Sequence, residues 1–156
     1  MARYSLPGTK KWANMEQQTA ESKTDSKTIL VVDDDEAILK FISGFLPQSG
    51  FNVLVAGSTE DALKQSKEYN GPIHLLLSNL QMPGMTGIEL GTKLTLERPD
   101  IRVMLMSGFT SGMLVLNSGW QFLSKPFVAS QLRESILNVL ASPSSVDVPD
   151  IDERKE

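Results

Sequence analysis

At 156 residues and 17.1 kDa, the chain is sized for one compact domain with room left for tails. Fifteen Lys and Arg against nineteen Asp and Glu give a net charge of −4, which argues against broad nucleic-acid binding through phosphate neutralisation. The absence of cysteine removes disulfides, thiolate zinc sites and a Cys nucleophile together, and a single histidine, His74, disfavours a His-based metal site or a Ser-His pair. The opening Met1–Gly8 has no apolar signal core, and no apolar run approaches the ~18 residues of a membrane span. The expectation is a cytoplasmic protein that does not contact a membrane.

In chain order, residues 1–27 are polar, carry a net charge of about +2 and show no sustained hydrophobic period, so they read as a flexible arm or leader. A short helix around Trp12–Gln18 docking on the domain is the alternative. Ile29–Val32 is a short apolar run of the kind expected of a strand buried on both faces. Ala37, Ile38, Phe41, Ile42 and Phe45 then recur at helical spacing and stop near Pro47 and Gly50. A second strand covers Val53–Ala56, and Ser58 or Thr59 can cap a helix through Ala62 and Leu63 towards Tyr69. Ile73–Leu77 is the third strand. A helix over Ile88–Leu96 follows Gly87 and ends before Pro99. Val103–Met106 is the fourth strand and Trp120–Leu123 a weaker fifth. Between them, Thr110–Gly119 is short for a full helix plus loops, and Gly112 weakens it, so this fourth helix is expected to be abbreviated or mobile. Ser130 can cap a last helix carrying Leu132, Ile136, Leu137 and Leu140. Residues 142–156 contain Pro143 and Pro149, have a net charge of about −3, and read as an acidic tail. The functional unit is therefore 28–141. Its repeated strand–helix alternation implies an α/β domain, a doubly wound parallel sheet with helices on both faces.

In such sheets, functional groups gather at the carboxyl ends of the strands. The first strand runs into Asp33, Asp34, Asp35 and Glu36; the third ends at Ser78 and Asn79; the fourth ends at Ser107 and Gly108; the fifth ends at Lys125 and Pro126. An acidic run after a strand is by itself most simply a solvated helix start, where carboxylates suit the helix dipole. Joined with a hydroxyl and a lysine on the same rim, it instead suits a hard divalent cation and a phosphoryl group.

Four segments carry a family resemblance: Ile29-Leu-Val-Val-Asp-Asp-Asp-Glu-Ala-Ile, Leu80-Gln-Met-Pro-Gly-Met-Thr-Gly, Met106-Ser-Gly-Phe and Phe122-Leu-Ser-Lys-Pro-Phe. Together they resemble the receiver domain of two-component response regulators (CheY-like), in order and at family-like spacing across about 28–141. The last two resemble in particular receivers attached to hybrid histidine kinases. The resemblance implies a flavodoxin-like fold of five parallel strands and five helices. It implies Mg²⁺ held by Asp33, Asp34 and the Gln81 backbone carbonyl. It also implies a switch hydroxyl at Ser107, a phosphoryl-contacting Lys125, a rotamer-switching aromatic at Phe122 and a cis Lys125–Pro126 bond. The implied partners are a sensor histidine kinase or phosphotransfer protein and a downstream protein, with no direct DNA contact.

One position departs from the family. Where the resemblance expects the phosphoaccepting aspartate, the sequence has Asn79. A carboxamide is neutral and a poor nucleophile, so no ordinary acyl phosphate forms there. The change also removes one negative charge, so Mg²⁺ should bind more weakly. Three explanations stay open: a natural pseudo-receiver, an engineered inactive form, or a substitute acceptor at Ser78. The last suffers because successive strand residues face opposite sides, which turns Ser78 away from the pocket. Smaller departures are His74, read as a half-exposed structural histidine with pH sensing the rival role, and Thr86, read as a turn residue. Met82, Met85, Met104, Met106 and Met113 read as core or loop filling rather than as a sticky surface.

The expectation is thus a non-enzymatic signalling module of a phosphorelay acting by protein–protein contact, a weak homodimer included. A shortened fourth helix would put the usual dimerisation face in doubt. The rival is a Mg²⁺-dependent phosphatase or phosphotransferase on the same rim. A nucleotide- or flavin-binding domain lacks its glycine-rich loop after the first strand.

Overall fold

The computed structural model describes residues 26–108 and 119–142. Nearly all of the expected N-terminal arm, the Trp12–Gln18 helix, nearly all of the acidic tail and all but the last residue of Thr110–Gly119 lie outside those residues. Five strands, β1 (Thr28–Val32), β2 (Asn52–Ala56), β3 (Leu75–Asn79), β4 (Arg102–Ser107) and β5 (Gln121–Ser124), form one parallel sheet in the order β2-β1-β3-β4-β5. Four helices are described: α1 (Glu36–Phe45), α2 (Thr59–Glu68), α3 (Gly87–Glu97) and α4 (Ala129–Ala141), with a 3₁₀ turn at Pro47–Ser49. The strand order is that of a flavodoxin-like doubly wound fold, whose direction of winding reverses between β1 and β3.

The strands are almost continuously apolar because both faces are covered. Alternate residues feed two separate cores. Ile29, Val31, Leu75, Leu77, Met104, Met106 and Leu123 pack with Ile42 and Leu46 from the first helical segment and with Leu132, Ile136 and Val139 of α4. Leu30, Val32, Leu76, Val103 and Leu105 pack on the other face with Ala62 of α2, Leu90 and Leu94 of α3, and Trp120. The helix carrying Ala37–Phe45 and the Ser58 cap match expectation: the Ser58 hydroxyl accepts from Asp61 N–H at 3.1 Å.

The sequence expectations slip at four places. β3 starts two residues late and runs through Ser78 and Asn79, because apolar runs report burial whereas strands are defined by pairing, and Ser78 and Asn79 pair with Leu105 and Met106. Trp120 precedes β5 and packs on α3, where a Cβ on Gly91 would come within 2.7 Å of the indole. Ser130 does not cap α4. The helix begins at Ala129, and the Gln131 side chain reaches back to accept from Val128 N–H at 3.0 Å, since valine offers no acceptor. Thr86 is more than a turn residue. Its hydroxyl accepts from Glu89 N–H at 3.1 Å and the Glu89 carboxylate accepts from Thr86 N–H at 2.9 Å, a closed capping box on α3.

Two polar anchors fix the periphery. Arg98 follows α3 and caps the end of α2, its guanidinium donating to the Ser66 hydroxyl and to the carbonyls of Ser66, Tyr69 and Gly71 at 2.7–2.9 Å. The Arg98→Ala variant is expected to lose roughly 2–3 kcal/mol of stability in urea denaturation, because these carbonyls keep only water as donor. At the same amino-terminal end of the strands, His74 joins the start of β3 to β1: its Nδ1 accepts from Thr28 N–H at 2.9 Å, and its backbone N–H donates to Thr28 O at 2.8 Å. Burial, then the nearby Lys27 and Arg102 charges, hold the His74 pKa below its usual 6.5, outweighing the Thr28 contact. The unfolded chain therefore takes up a proton first. Stability contributed here is fully present above about pH 6.5 and falls on acidification through and below that value. Replacing His74 by Asn, which keeps an acceptor but does not titrate, should flatten that part of the stability–pH curve measured by thermal melts.

Candidate functional site: an acidic pocket closed by a carboxamide

The carboxyl ends of β1, β3, β4 and β5 surround a cavity of about 610 Å³ lined by Asp33, Asp34, Asp35, Asn79, Gln81, Ser107, Gly108 and Lys125. Strand alternation explains the grouping. Asp33 and Asn79 continue the rows Ile29–Val31 and Leu75–Leu77, and Lys125 continues the row of Leu123, so all three belong to the face covered by α1 and α4. Ser107 and Ser78 belong to the alternate rows.

Asp33 is fully buried, and both its oxygens are engaged: Oδ1 accepts from Asp35 N–H at 2.9 Å and Oδ2 from the Lys125 ammonium at 2.9 Å. Asp35 is turned to the start of α1, where it caps Ala37 N–H at 2.9 Å. Its carboxylate therefore serves the helix terminus. Lys125 is placed by its own N–H, which donates to Ser107 O at 2.8 Å, and its bond to Pro126 is cis. Its ammonium also donates to Asn79 Oδ1 at 3.1 Å. The other end of that carboxamide donates from Nδ2 to Gln81 O at 2.7 Å and to Asp34 Oδ1 at 3.3 Å. The two neighbours fix the amide's orientation, because an ammonium only donates and a carbonyl only accepts.

Five of the expected side chains, Asp33, Asp34, Asn79, Ser107 and Lys125, and the Gln81 carbonyl thus meet in one place. Phe122 does not. It pairs with Leu105 and packs, half-buried, against the core on the α2–α3 face. Ser78 is fully buried away from the pocket, its hydroxyl donating to Asn79 O at 2.9 Å, as strand alternation requires. Sequence reasoning missed the role of Gly87. It donates to Leu80 O at 2.7 Å beneath the loop, and a Cβ there would collide with the Asn79 carbonyl. A glycine opening a helix that follows a polar strand end is the signal that could have found it.

The oxygens assigned to Mg²⁺ by resemblance do not fit a cation as arranged. Asp33 is spent on Lys125 and Asp35, while Asp34 Oδ1 and Gln81 O both already accept from Asn79. Among the described residues, no group of three or more His, Cys, Asp or Glu is arranged to hold a metal.

Residues 29–137 match the family described as response regulator receiver domain. The chain belongs to that family. Its receiver is 32% identical over 118 residues to the response regulator receiver protein CpdR of Brucella abortus, covering 73% of this chain and 97% of CpdR. It is 30% identical over 131 residues to the sensor kinase CckA of the same organism, covering 80% of this chain but only 14% of that kinase. Among solved structures, the receiver domain of the hybrid histidine kinase CckA is 31% identical with a TM-score of 0.58, covering 72% of this chain and 98% of that one. A CheY-like receiver domain protein from Methanospirillum hungatei JF-1 is 29% identical with a TM-score of 0.67, covering 85% and 100%. Among the described residues no helix is long and apolar enough to cross a membrane.

The receiver's ion pair leads to a stability prediction. Lys125→Ala leaves a fully buried Asp33 without its cation and is expected to cost about 2–4 kcal/mol, somewhat below a fully enclosed pair because Lys125 is 19% exposed. A combined Asp33→Asn and Lys125→Met variant should lose less than Lys125→Ala alone, read by urea denaturation followed by circular dichroism.

Proposed function

We propose that this receiver works by protein–protein contact, without aspartyl phosphorylation, within a two-component phosphorelay. The observation that carries the reading is Asn79. It stands at the end of β3 beside Lys125 and Gln81, where a family member needs a nucleophilic carboxylate, and its carboxamide is hydrogen-bonded at both ends. An amide nitrogen conjugated to its carbonyl has no lone pair for attack on phosphorus, and the amide oxygen is a weak nucleophile that Lys125 further depletes. The reading holds whether Asn79 is native or engineered.

The partners follow from the family: a sensor histidine kinase or phosphotransfer protein upstream and a further protein downstream, a second copy of the receiver included, with no direct DNA contact and a cytoplasmic setting. Similarity to the receiver of the hybrid kinase CckA supports a place in such a relay. Any Mg²⁺ affinity is weaker than that of a receiver with an aspartate at this position. The rival, a Mg²⁺-dependent phosphatase, would need a nucleophile from Asp33 or Asp34, and Asp33 has both oxygens occupied in the buried ion pair. Turnover of a generic phosphate ester that disappears in Asp34→Asn would decide for the rival.

The direct test is intact-protein mass after incubation with Mg²⁺ and acetyl phosphate. The chain is expected to gain no phosphoryl mass, whereas Asn79→Asp gains one. A gain by the unaltered chain would overturn the reading and point to another acceptor.

A further inference from the structure

We propose that the Asn79 carboxamide occupies the cation's place in this pocket, so that the receiver is joined across its carboxyl-end loops without a divalent metal and excludes one. The proposal deepens the reading above and rests on it, since it concerns the same residue. Loss of one negative charge would merely weaken a metal site. The hydrogen-bond pattern goes further. Nδ2 carries two protons, and the two atoms they meet, Gln81 O at 2.7 Å and Asp34 Oδ1 at 3.3 Å, are oxygens that a cation would have to draw together.

To offer an oxygen to a metal on that side, the amide would have to turn over. Its NH₂ would then face the Lys125 ammonium at about the present 3.1 Å, donor against donor. Lys125 cannot withdraw without leaving fully buried Asp33 unpaired. The ammonium therefore locks the amide, and the amide keeps its protons on Asp34 and Gln81. An aspartate at position 79 reverses the logic. Both its oxygens accept, so one would lie against Gln81 O and Asp34 Oδ1 with no hydrogen between, a cluster that a cation relieves.

The discriminating variant is Asn79→Ala, which has the same charge as Asn79 but no donors. Binding of Mn²⁺, as a spectroscopic stand-in for Mg²⁺, is followed by the loss of the free hexaaquo signal in electron paramagnetic resonance, on the full chain. The unaltered chain is expected to bind weakest, Asn79→Ala about tenfold tighter or more, and Asn79→Asp tightest. In thermal melts, saturating Mg²⁺ should leave the unaltered chain unmoved and raise Asn79→Asp by roughly 5–10 °C over its value in chelator. Should Asn79→Ala fail to fold, ¹⁵N spectra of the unaltered chain suffice. The Asn79 side-chain NH₂ pair, assigned by its absence in Asn79→Asp, should keep its shifts and slow solvent exchange on Mg²⁺ addition.

Asn79→Ala binding no tighter than the unaltered chain overturns the proposal, because charge alone would then explain the weakness. So does an Asn79 NH₂ pair that shifts on Mg²⁺ addition. Acetyl phosphate is absent from these measurements, so failure of the metal result and failure of the phosphorylation reading are separately visible.

Discussion

The Lys125 ammonium is the point on which the pocket depends. It leaves the end of β5, passes the end of β4, and donates at once to Asp33 from β1 and Asn79 from β3. One cation thereby ties three of the five strands on the rim where the sheet's winding reverses. Burial of Asp33 makes the tie strong, because a carboxylate with no exposure needs its charge met and its lone pairs filled. The backbone supports the same geometry: Lys125 N–H is held by Ser107 O, Asp33 N–H by Ala56 O at 3.2 Å, and Leu80 N–H by Met106 O at 2.7 Å. Ion pair and backbone thus hold the four strand ends of the pocket at fixed spacing. Whatever stands at position 79 must answer an ammonium on one side and a carbonyl on the other.

A carboxamide answers both without help, which a carboxylate cannot do. This is why a single-atom exchange, oxygen to nitrogen, changes the character of the site more than its size. The two side chains are nearly isosteric, and the loops around them would be placed alike. They differ in what else they need. With aspartate, the oxygens of positions 34, 79 and 81 face one another and need a cation; with Asn79 they form a closed set of donors and acceptors.

The sheet and its rim were legible because they follow from local rules. Apolar runs mark strands buried on both faces, Ser58 announces a helix start, and polar residues at strand ends mark the functional edge. Strand alternation even predicted that Ser78 turns away from the pocket. What escaped was long-range or reciprocal. The Thr86–Glu89 box requires two side chains to be scored together, and Gln131 capping α4 from inside the helix is invisible if only the first residue is inspected. Arg98 looks like an ordinary charged residue after a helix, and only the fold brings the end of α2 to it. Spacing placed Asn79 near Lys125, Asp34 and Gln81. It held no information on which end of the amide faces which neighbour, since that depends on the ammonium arriving from 46 residues downstream.

Consequences reach the opposite face of the sheet. Ser107 lines the pocket although it continues the Val103–Leu105 row of the α2–α3 side, where Phe122 pairs with Leu105, so coupling between the two runs along that side of β4 and β5. A receiver that accepts a phosphoryl group can bias such a pair with a covalent charge at position 79. On the proposed reading this chain has no such lever, and its pocket is already satisfied. A two-state element then shifts only as far as a partner's differential affinity for the two states allows: moving a population from 1:99 to 99:1 takes about 5.5 kcal/mol. That energy must come from the contact surface itself. A protein that binds both states of the β4–β5 region equally well would leave the balance untouched however tightly it held. On that reading, the information this receiver carries resides in which partners are present.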